Sequence, residues 1–90
     1  MNITEVRVRK LSGEGKTRGV ASIVIDNAFV VKDIRIVEGP KGLFISMPSR
    51  RSPDGEFRDV AYPITSEARE EIYAAIMRRF SEGNETQAIR

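Results

Sequence analysis

Histidine, cysteine and tryptophan are all missing from this 90-residue chain. Without histidine or cysteine, the Ser-His-Asp and Cys-His catalytic arrangements are impossible, and so are ordinary zinc sites. A metal would have to be a hard cation held by carboxylates, but the acidic residues show no ligand-loop spacing. No pairing of a nucleophile with a general base stands out either. We therefore expect a protein that is not an enzyme, with no cofactor, no metal and no small-molecule substrate.

Long apolar runs are also absent. No stretch approaches the roughly 20 residues that a membrane-spanning helix needs, and the N-terminus lacks a basic segment followed by an apolar one. The absence of cysteine removes any disulfide framework and favours a reducing compartment. The sequence thus predicts a cytoplasmic protein with no membrane partner.

The composition is that of a folded protein, with 40% hydrophobic and 31% charged residues. This length suits a single small domain, which we place at residues 1–83, with residues 84–90 as a frayed C-terminal tail. The net charge is only +2, and eleven of the fifteen basic residues are arginine. An anion-binding surface would therefore depend on the segregation of charge onto one face.

Short alternating runs, separated by turn residues, fill the first two thirds of the chain. They predict strands at 3–11, 18–25, 28–37, 43–47 and 57–62. Close turns with no intervening helix favour an antiparallel meander. After Pro63, Thr65 or Ser66 can cap a helix that Gly83 would end. The predicted fold class is α+β, an antiparallel five-stranded β-sheet followed by a C-terminal α-helix.

The apolar surface of these elements is larger than one sheet and one helix can cover. The second strand is apolar on both faces, and the helix has an apolar arc covering about half of its circumference. The arc is formed by Ala68, Ile72, Tyr73, Ile76, Met77 and Phe80. Because surplus apolar surface on a small chain is commonly buried against a second copy, we expect a homodimer.

The segment 47–63 has the most unusual composition. It places Arg50, Arg51 and Arg58 around a Pro53-Asp54-Gly55 turn. Adjacent guanidinium groups on a stiffened frame present forks of donors to anions, and phosphate is the usual anion. The alternative is a solvated loop whose charges aid solubility.

Three further arginines lie on the predicted helix. Arg69 falls inside the apolar arc, where its stem could lie on apolar surface while its head pairs with a carboxylate such as Asp59. Arg78 and Arg79 could contact a nucleic-acid backbone, although complementarity with the helix dipole also explains them.

Other residues allow two interpretations. Arg7 and Arg9 share a strand face that Arg35 or Lys32 could extend into a basic surface, but ion pairing with nearby acids on a solvated face is the preferred account. Phe57 and Tyr62 could stack on bases. In so small a sheet, we expect them to belong to the core.

The run Met-Pro-Ser-Arg-Arg-Ser-Pro-Asp-Gly-Glu-Phe-Arg-Asp at 47–59, within the longer segment 42–64, resembles the signature block of the stage V sporulation protein G family. Segments 20–26 and 29–36 are similar to the family's second and third strands. The resemblance implies a dimeric bacterial cytoplasmic protein, with an antiparallel sheet and a following helix. It also implies binding to DNA and RNA, and regulation of gene expression in septation, cell division and sporulation.

The sequence therefore leads to the hypothesis of a homodimeric regulator that binds DNA or RNA. The candidate nucleic-acid-binding residues are Arg50, Arg51, Arg58, Arg69, Arg78 and Arg79. The alternative is a protein-interaction module, in which the same loop docks an acidic partner of the division or transcription machinery.

Overall fold

Six strands and one helix follow one another in the computed structural model, which describes residues 1–13 and 15–82. The elements are β1 (Ile3–Lys10), β2 (Thr17–Ile25), β3 (Phe29–Gly39), β4 (Gly42–Ser46), β5 (Ser49–Arg51), β6 (Phe57–Asp59) and α1 (Ser66–Glu82). The expected helix end at Gly83 and the expected tail at 84–90 lie outside the described residues.

The first four strands form an antiparallel sheet in the order β1-β2-β3-β4. Asp26 and Asn27 turn the chain between β2 and β3 with φ angles of 53° and 52°. Two successive positive φ angles define the turn whose twist suits a two-residue hairpin, and Asp and Asn tolerate them better than most residues do. The N–H of Ala28 donates to the carbonyl of Ile25 at 2.9 Å and closes the turn.

A bulge in β3 keeps its apolar residues on one face. Ala21 pairs with Ile34 and Ile23 pairs with Val31, so Ser22 alone stands opposite two residues of β3. One of these two, Asp33, has a φ of 63°. Since side chains alternate along a strand, the extra residue is what allows Val31 and Ile34 to point to the same side.

The helix covers that side of the sheet. Its N-terminus is capped by Thr65, whose Oγ1 accepts a hydrogen bond from the N–H of Ala68 at 3.1 Å. Ile72 and Ile76 of α1 are buried against the strands. The buried core of the described residues consists of Val8, Ala21, Ile23, Ile34, Ile36, Ile72 and Ile76.

Gly19 allows the C-terminal part of the helix to approach β2. A Cβ atom at this position would lie 3.2 Å from the carbonyl oxygen of Arg9 and 3.4 Å from both Ile36 and Phe80. The helix end therefore lies over β1 and β2, with Phe80 packed against the core.

The five-stranded meander is corrected in one respect. The segment expected as a fifth strand pairs with β5 in a separate two-stranded antiparallel sheet, and the main sheet ends at β4. Pro48 lies between β4 and β5 and has no N–H to donate to a ladder. Its carbonyl instead accepts a 2.7 Å bond from the N–H of Val60, which closes the base of the small hairpin.

Candidate nucleic-acid interface

The turn of the β5-β6 hairpin is stabilised by several hydrogen bonds within residues 52–56. The N–H of Ser52 donates to the carbonyl of Glu56 at 2.8 Å, and the N–H of Gly55 donates to the carbonyl of Ser52 at 2.9 Å. The Ser52 hydroxyl donates to Asp54 Oδ1, which also accepts the N–H of Glu56 at 3.0 Å. Gly55 has a φ of 91°, a conformation that side chains disfavour. The Ser-Pro-Asp-Gly-Glu run thus stiffens the end of the hairpin.

Arg58 forms ion pairs and a hydrogen bond with residues of this turn. Its Nη2 lies 2.9 Å from Asp54 Oδ2 and 3.6 Å from Glu56 Oε1. Its Nε donates to the Ser52 hydroxyl at 3.4 Å. The Ser52 hydroxyl, the Glu56 N–H and the Arg58 guanidinium together hold the pKa of Asp54 below its usual value. Arg58, predicted as a phosphate contact, is thus ion-paired with two carboxylates of its own hairpin.

Arg50 and Arg51 differ from Arg58 in having no carboxylate partner among the described residues. Both are exposed, and neither takes part in an ion pair among the described residues. Arg50 stands opposite Arg58 in the register, and Arg51 stands opposite Phe57. Directly opposed residues share a face and neighbouring residues alternate, so Arg50 and Arg51 lie on opposite faces of the hairpin. The guanidinium of Arg51 lies over the Phe57 ring, 5.7 Å from its centroid.

The hairpin as a whole carries no net charge. Three arginines are balanced by three acidic residues, Asp54, Glu56 and Asp59. Residues 1–47, in contrast, contain eight basic and five acidic residues, whereas residues 66–82 contain three arginines and four glutamates. The positive charge of the chain therefore belongs chiefly to the main sheet.

Arg69 lies elsewhere, in a groove between β4, the segment after β6 and the first half of α1. The groove has a volume of about 780 Å³. It is lined mainly by apolar and aromatic side chains, among them Phe44, Met47, Tyr62, Ile72 and Tyr73. Asp59 and Glu70 also line it. The expected ion pair between Arg69 and Asp59 is not formed in the described part of the chain.

Arg78 and Arg79 lie near the other end of α1, on the order of 14 Å along the helix axis from Arg69 at the usual rise per residue. Arg78 is exposed. Arg79 is half-buried and its Nη1 lies 3.6 Å from Glu82 Oε1. The structure therefore does not gather the six predicted arginines into one site. It places three in the hairpin, one in the groove and two near the end of the helix.

The uncovered face of the main sheet carries arginines that the sequence prediction did not select. Arg9 pairs with Val20, and Val20 pairs with Arg35, so the three form one row across the sheet. Arg9 and Arg35 are exposed and outside the ion pairs of the described residues, whereas Arg7 is bound to Glu5 at 2.8 Å. The alternation with the buried Val8, Ile34 and Ile36 is the sequence pattern that locates them.

The two aromatic residues expected in the core are exposed. Phe57 keeps 69% of its accessible surface and Tyr62 keeps 59%. Neither lies beneath the helix, because both belong to the segment outside the main sheet.

Within residues 1–13 and 15–82, no helix is long and apolar enough to cross a membrane. No group of three or more acidic side chains is arranged to hold a metal ion in the same residues.

These features define a small α+β protein, with a four-stranded antiparallel sheet, a covering helix and a projecting arginine-bearing hairpin. The profile of the SpoVG family matches residues 1–82, and the chain belongs to this family. It is similar to proteins called "Putative septation protein SpoVG" in three bacteria. Identity is 51% with the Clostridium beijerinckii protein, with 99% of this chain and 98% of the relative covered.

The Heliobacterium modesticaldum relative is 55% identical over 91% of this chain and 92% of its own length. The Clostridium perfringens relative is 57% identical, with 86% of each chain covered. The resemblance recognised in the segment 42–64 is thereby confirmed over nearly the whole chain.

Proposed function

We propose that this protein is a cytoplasmic, homodimeric regulator without catalytic activity, which binds DNA or RNA and acts in bacterial septation and sporulation. The names of its relatives support the link to septation. The observation that carries the binding proposal is the pair of exposed arginines, Arg50 and Arg51, on a hairpin whose third arginine is fastened in place. A guanidinium carried on a fixed backbone loses less conformational entropy on binding phosphate than one carried on a mobile loop.

In this proposal Arg50 and Arg51 contact phosphates, and Arg58 keeps the hairpin in shape. Arg9 and Arg35 on the open sheet face add basic surface for the same polyanion. Arg78 supplies a further exposed guanidinium near the end of the helix, while the ion pair of Arg79 with Glu82 weakens its own contribution. Arg69 shares its groove with the carboxylates of Asp59 and Glu70, which disfavour a phosphate there, so it contributes less to binding than the hairpin pair does.

The apolar groove supports the dimer. Phe44, Tyr62 and Tyr73 line it and are all exposed, and Ile64, which follows the lining residue Pro63 in the chain, keeps 85% of its surface. Among the described strands, β4 also has no partner on its outer edge. Aromatic residues and an unpaired strand edge favour association between chains. We therefore place the contact between two copies at this groove.

A salt titration of binding tests the function. The expected result is binding to nucleic acid that weakens linearly in log affinity against log salt, with a slope of about 0.9 per phosphate contact on duplex DNA. The probes are duplex DNA, single-stranded DNA and RNA. Failure to bind all three at low salt would overturn the proposal.

A second candidate function is that of a protein-interaction module that docks an acidic protein. The hairpin is compatible with it, because its lack of net charge gives it no general preference for a nucleic acid. In that case, capture of a partner would survive nuclease treatment, while no shift of DNA or RNA would occur in a gel. The same titration separates the two candidates.

A further inference from the structure

Phe57 exposes its aromatic ring to solvent from a backbone position that is fixed by hydrogen bonds. It lies in the three-residue strand β6, whose residues are all exposed. Its backbone position is fixed by pairing with Arg51 and by the turn that Ser52 and Asp54 close. The main core gains nothing from this ring, since it is absent from the core and from the residues packed against it.

Arg51 completes a composite surface with this ring. Its guanidinium carbon lies 5.7 Å from the ring centroid, within the range of a cation–π contact. The two side chains share one face of the hairpin, while Arg50 and Arg58 share the other. One face therefore combines a flat apolar ring with a planar cation.

Asp59 shares the face of Phe57 and lies two cross-strand pairs nearer to the base of the hairpin. Its carboxylate disfavours a phosphate there, so the favoured position for a phosphate is at the turn end, beside Arg51. Because the hairpin has no net charge, general electrostatic attraction adds little to its affinity. Contacts of another kind are needed if the hairpin is to bind strongly.

We propose that Phe57 and Arg51 form a stacking surface for an unpaired base, so that the hairpin favours single-stranded nucleic acid over duplex. This inference rests on the proposed nucleic-acid binding and deepens it. In a duplex the bases are already stacked on one another, and the backbone offers phosphates but no free ring surface. A single strand can place a base on Phe57 and the adjoining phosphate near Arg51, as aromatic residues and cations do in other single-strand binders.

The test uses Phe57→Trp and Phe57→Leu in the full-length protein. Because the chain has no tryptophan, Phe57→Trp introduces a single fluorophore. We expect its emission to be quenched by a short oligouridine strand and not by blunt-ended duplex DNA. Phe57→Leu should bind the single strand about tenfold more weakly, given the usual size of base stacking, and should bind the duplex unchanged. Phe29→Trp, at a residue of similar exposure beside the β2-β3 turn, is the control and should show no quenching.

Three outcomes would overturn the inference. If Phe57→Leu binds both probes like the unmodified protein and Phe57→Trp is silent, the stacking surface does not exist, although nucleic-acid binding stands. If the unmodified protein binds neither probe at low salt, the proposed function itself fails. If Phe57→Leu sediments as a monomer while the unmodified protein is a dimer, Phe57 is a subunit contact. Equal melting temperatures of the variants show that folding is unaffected.

Discussion

Arg50 and Arg58 stand directly opposite each other on the hairpin, yet only Arg58 is bound to carboxylates. The difference comes from the turn, which places Asp54 and Glu56 near the guanidinium of Arg58. Two arginines on the same face of the hairpin thus have different surroundings: Arg58 is paired with carboxylates, whereas Arg50 forms no ion pair among the described residues.

The first prediction concerns the available pair. The double substitution Arg50→Ala/Arg51→Ala should weaken binding to all sequences and reduce the salt slope by up to about 1.8 per protomer on duplex DNA. The control is Arg7→Ala/Arg18→Ala, which removes the same charge from arginines already paired with Glu5 and Glu38. Salt titrations of both variants give the comparison. Equal slopes in the two variants would show that net charge alone matters and that the hairpin has no special role.

The second prediction follows from the binding of Arg58 to Asp54. Asp54→Asn keeps a side-chain oxygen that can accept the Glu56 N–H, but removes the charge that holds Arg58. The hairpin then gains one net positive charge. We expect tighter binding at low salt and a salt slope steeper by up to about 0.9. Weaker binding with a shallower salt slope would mean that loss of the ion pair distorts the hairpin, and that this effect outweighs the gain in positive charge.

The third prediction concerns acid. The pKa of Asp54 is lowered in the folded hairpin, chiefly by the Ser52 hydroxyl and then by the Glu56 N–H. A depressed folded-state pKa stabilises the hairpin fully above the ordinary value of about 3.9, and this contribution is lost as pH falls through the lower value. NMR titration of the Glu56 amide should show a midpoint below the ordinary one, and Asp54→Asn should abolish it. A midpoint at or above the ordinary value would contradict the described turn.

The fourth prediction concerns the dimer. Ile64→Glu introduces a charge next in the chain to Pro63, which lines the groove, and Ile64 is 85% exposed in one chain, so the fold of the chain should be retained. We expect this variant to sediment as a monomer at concentrations at which the unmodified protein is a dimer. The control is Phe29→Glu. Phe29 is an exposed apolar residue at the start of β3, and this variant should remain dimeric. If Ile64→Glu stays dimeric, the subunit contact lies on another surface.

The fifth prediction concerns the core. Ile76 has no exposed surface and joins the helix to the sheet. Ile76→Ala should lower the free energy of unfolding by about 2–5 kcal/mol, and each kcal/mol corresponds to about 4–8 °C in Tm for a domain of this size. Val30→Ala, on the uncovered face, should cost less than about 1 kcal/mol. Thermal unfolding followed by circular dichroism measures both, and similar losses would mean that the helix does not anchor the core.

Periodicity predicted most of the fold, because burial imposes it. The four antiparallel strands of the main sheet, one of the two possible caps (Thr65) and the buried positions Ile72 and Ile76 are confirmed. The strand β5 was not predicted, because its three residues include two adjacent arginines and show no alternation of apolar and polar side chains. Its backbone pairing is imposed by the turn at 52–56 and by the partner strand.

The candidate site was only partly accessible from the sequence. Composition pointed to the segment 47–63, but it could not show that Arg50 and Arg51 face opposite sides. That distinction depends on the register of β5 and β6. Residue type also misled at Phe57, since an apolar ring is usually buried and here the hairpin carries it away from the helix.

The division of charge between the sheet and the helix has a consequence for the encounter with a polyanion. Residues 1–47 hold the surplus of positive charge, while the helix is slightly negative. At physiological ionic strength such a difference is felt over about 8 Å. In the proposed binding, an approaching polyanion would therefore meet the sheet side of the protein first, and added salt would slow association as well as weaken the complex.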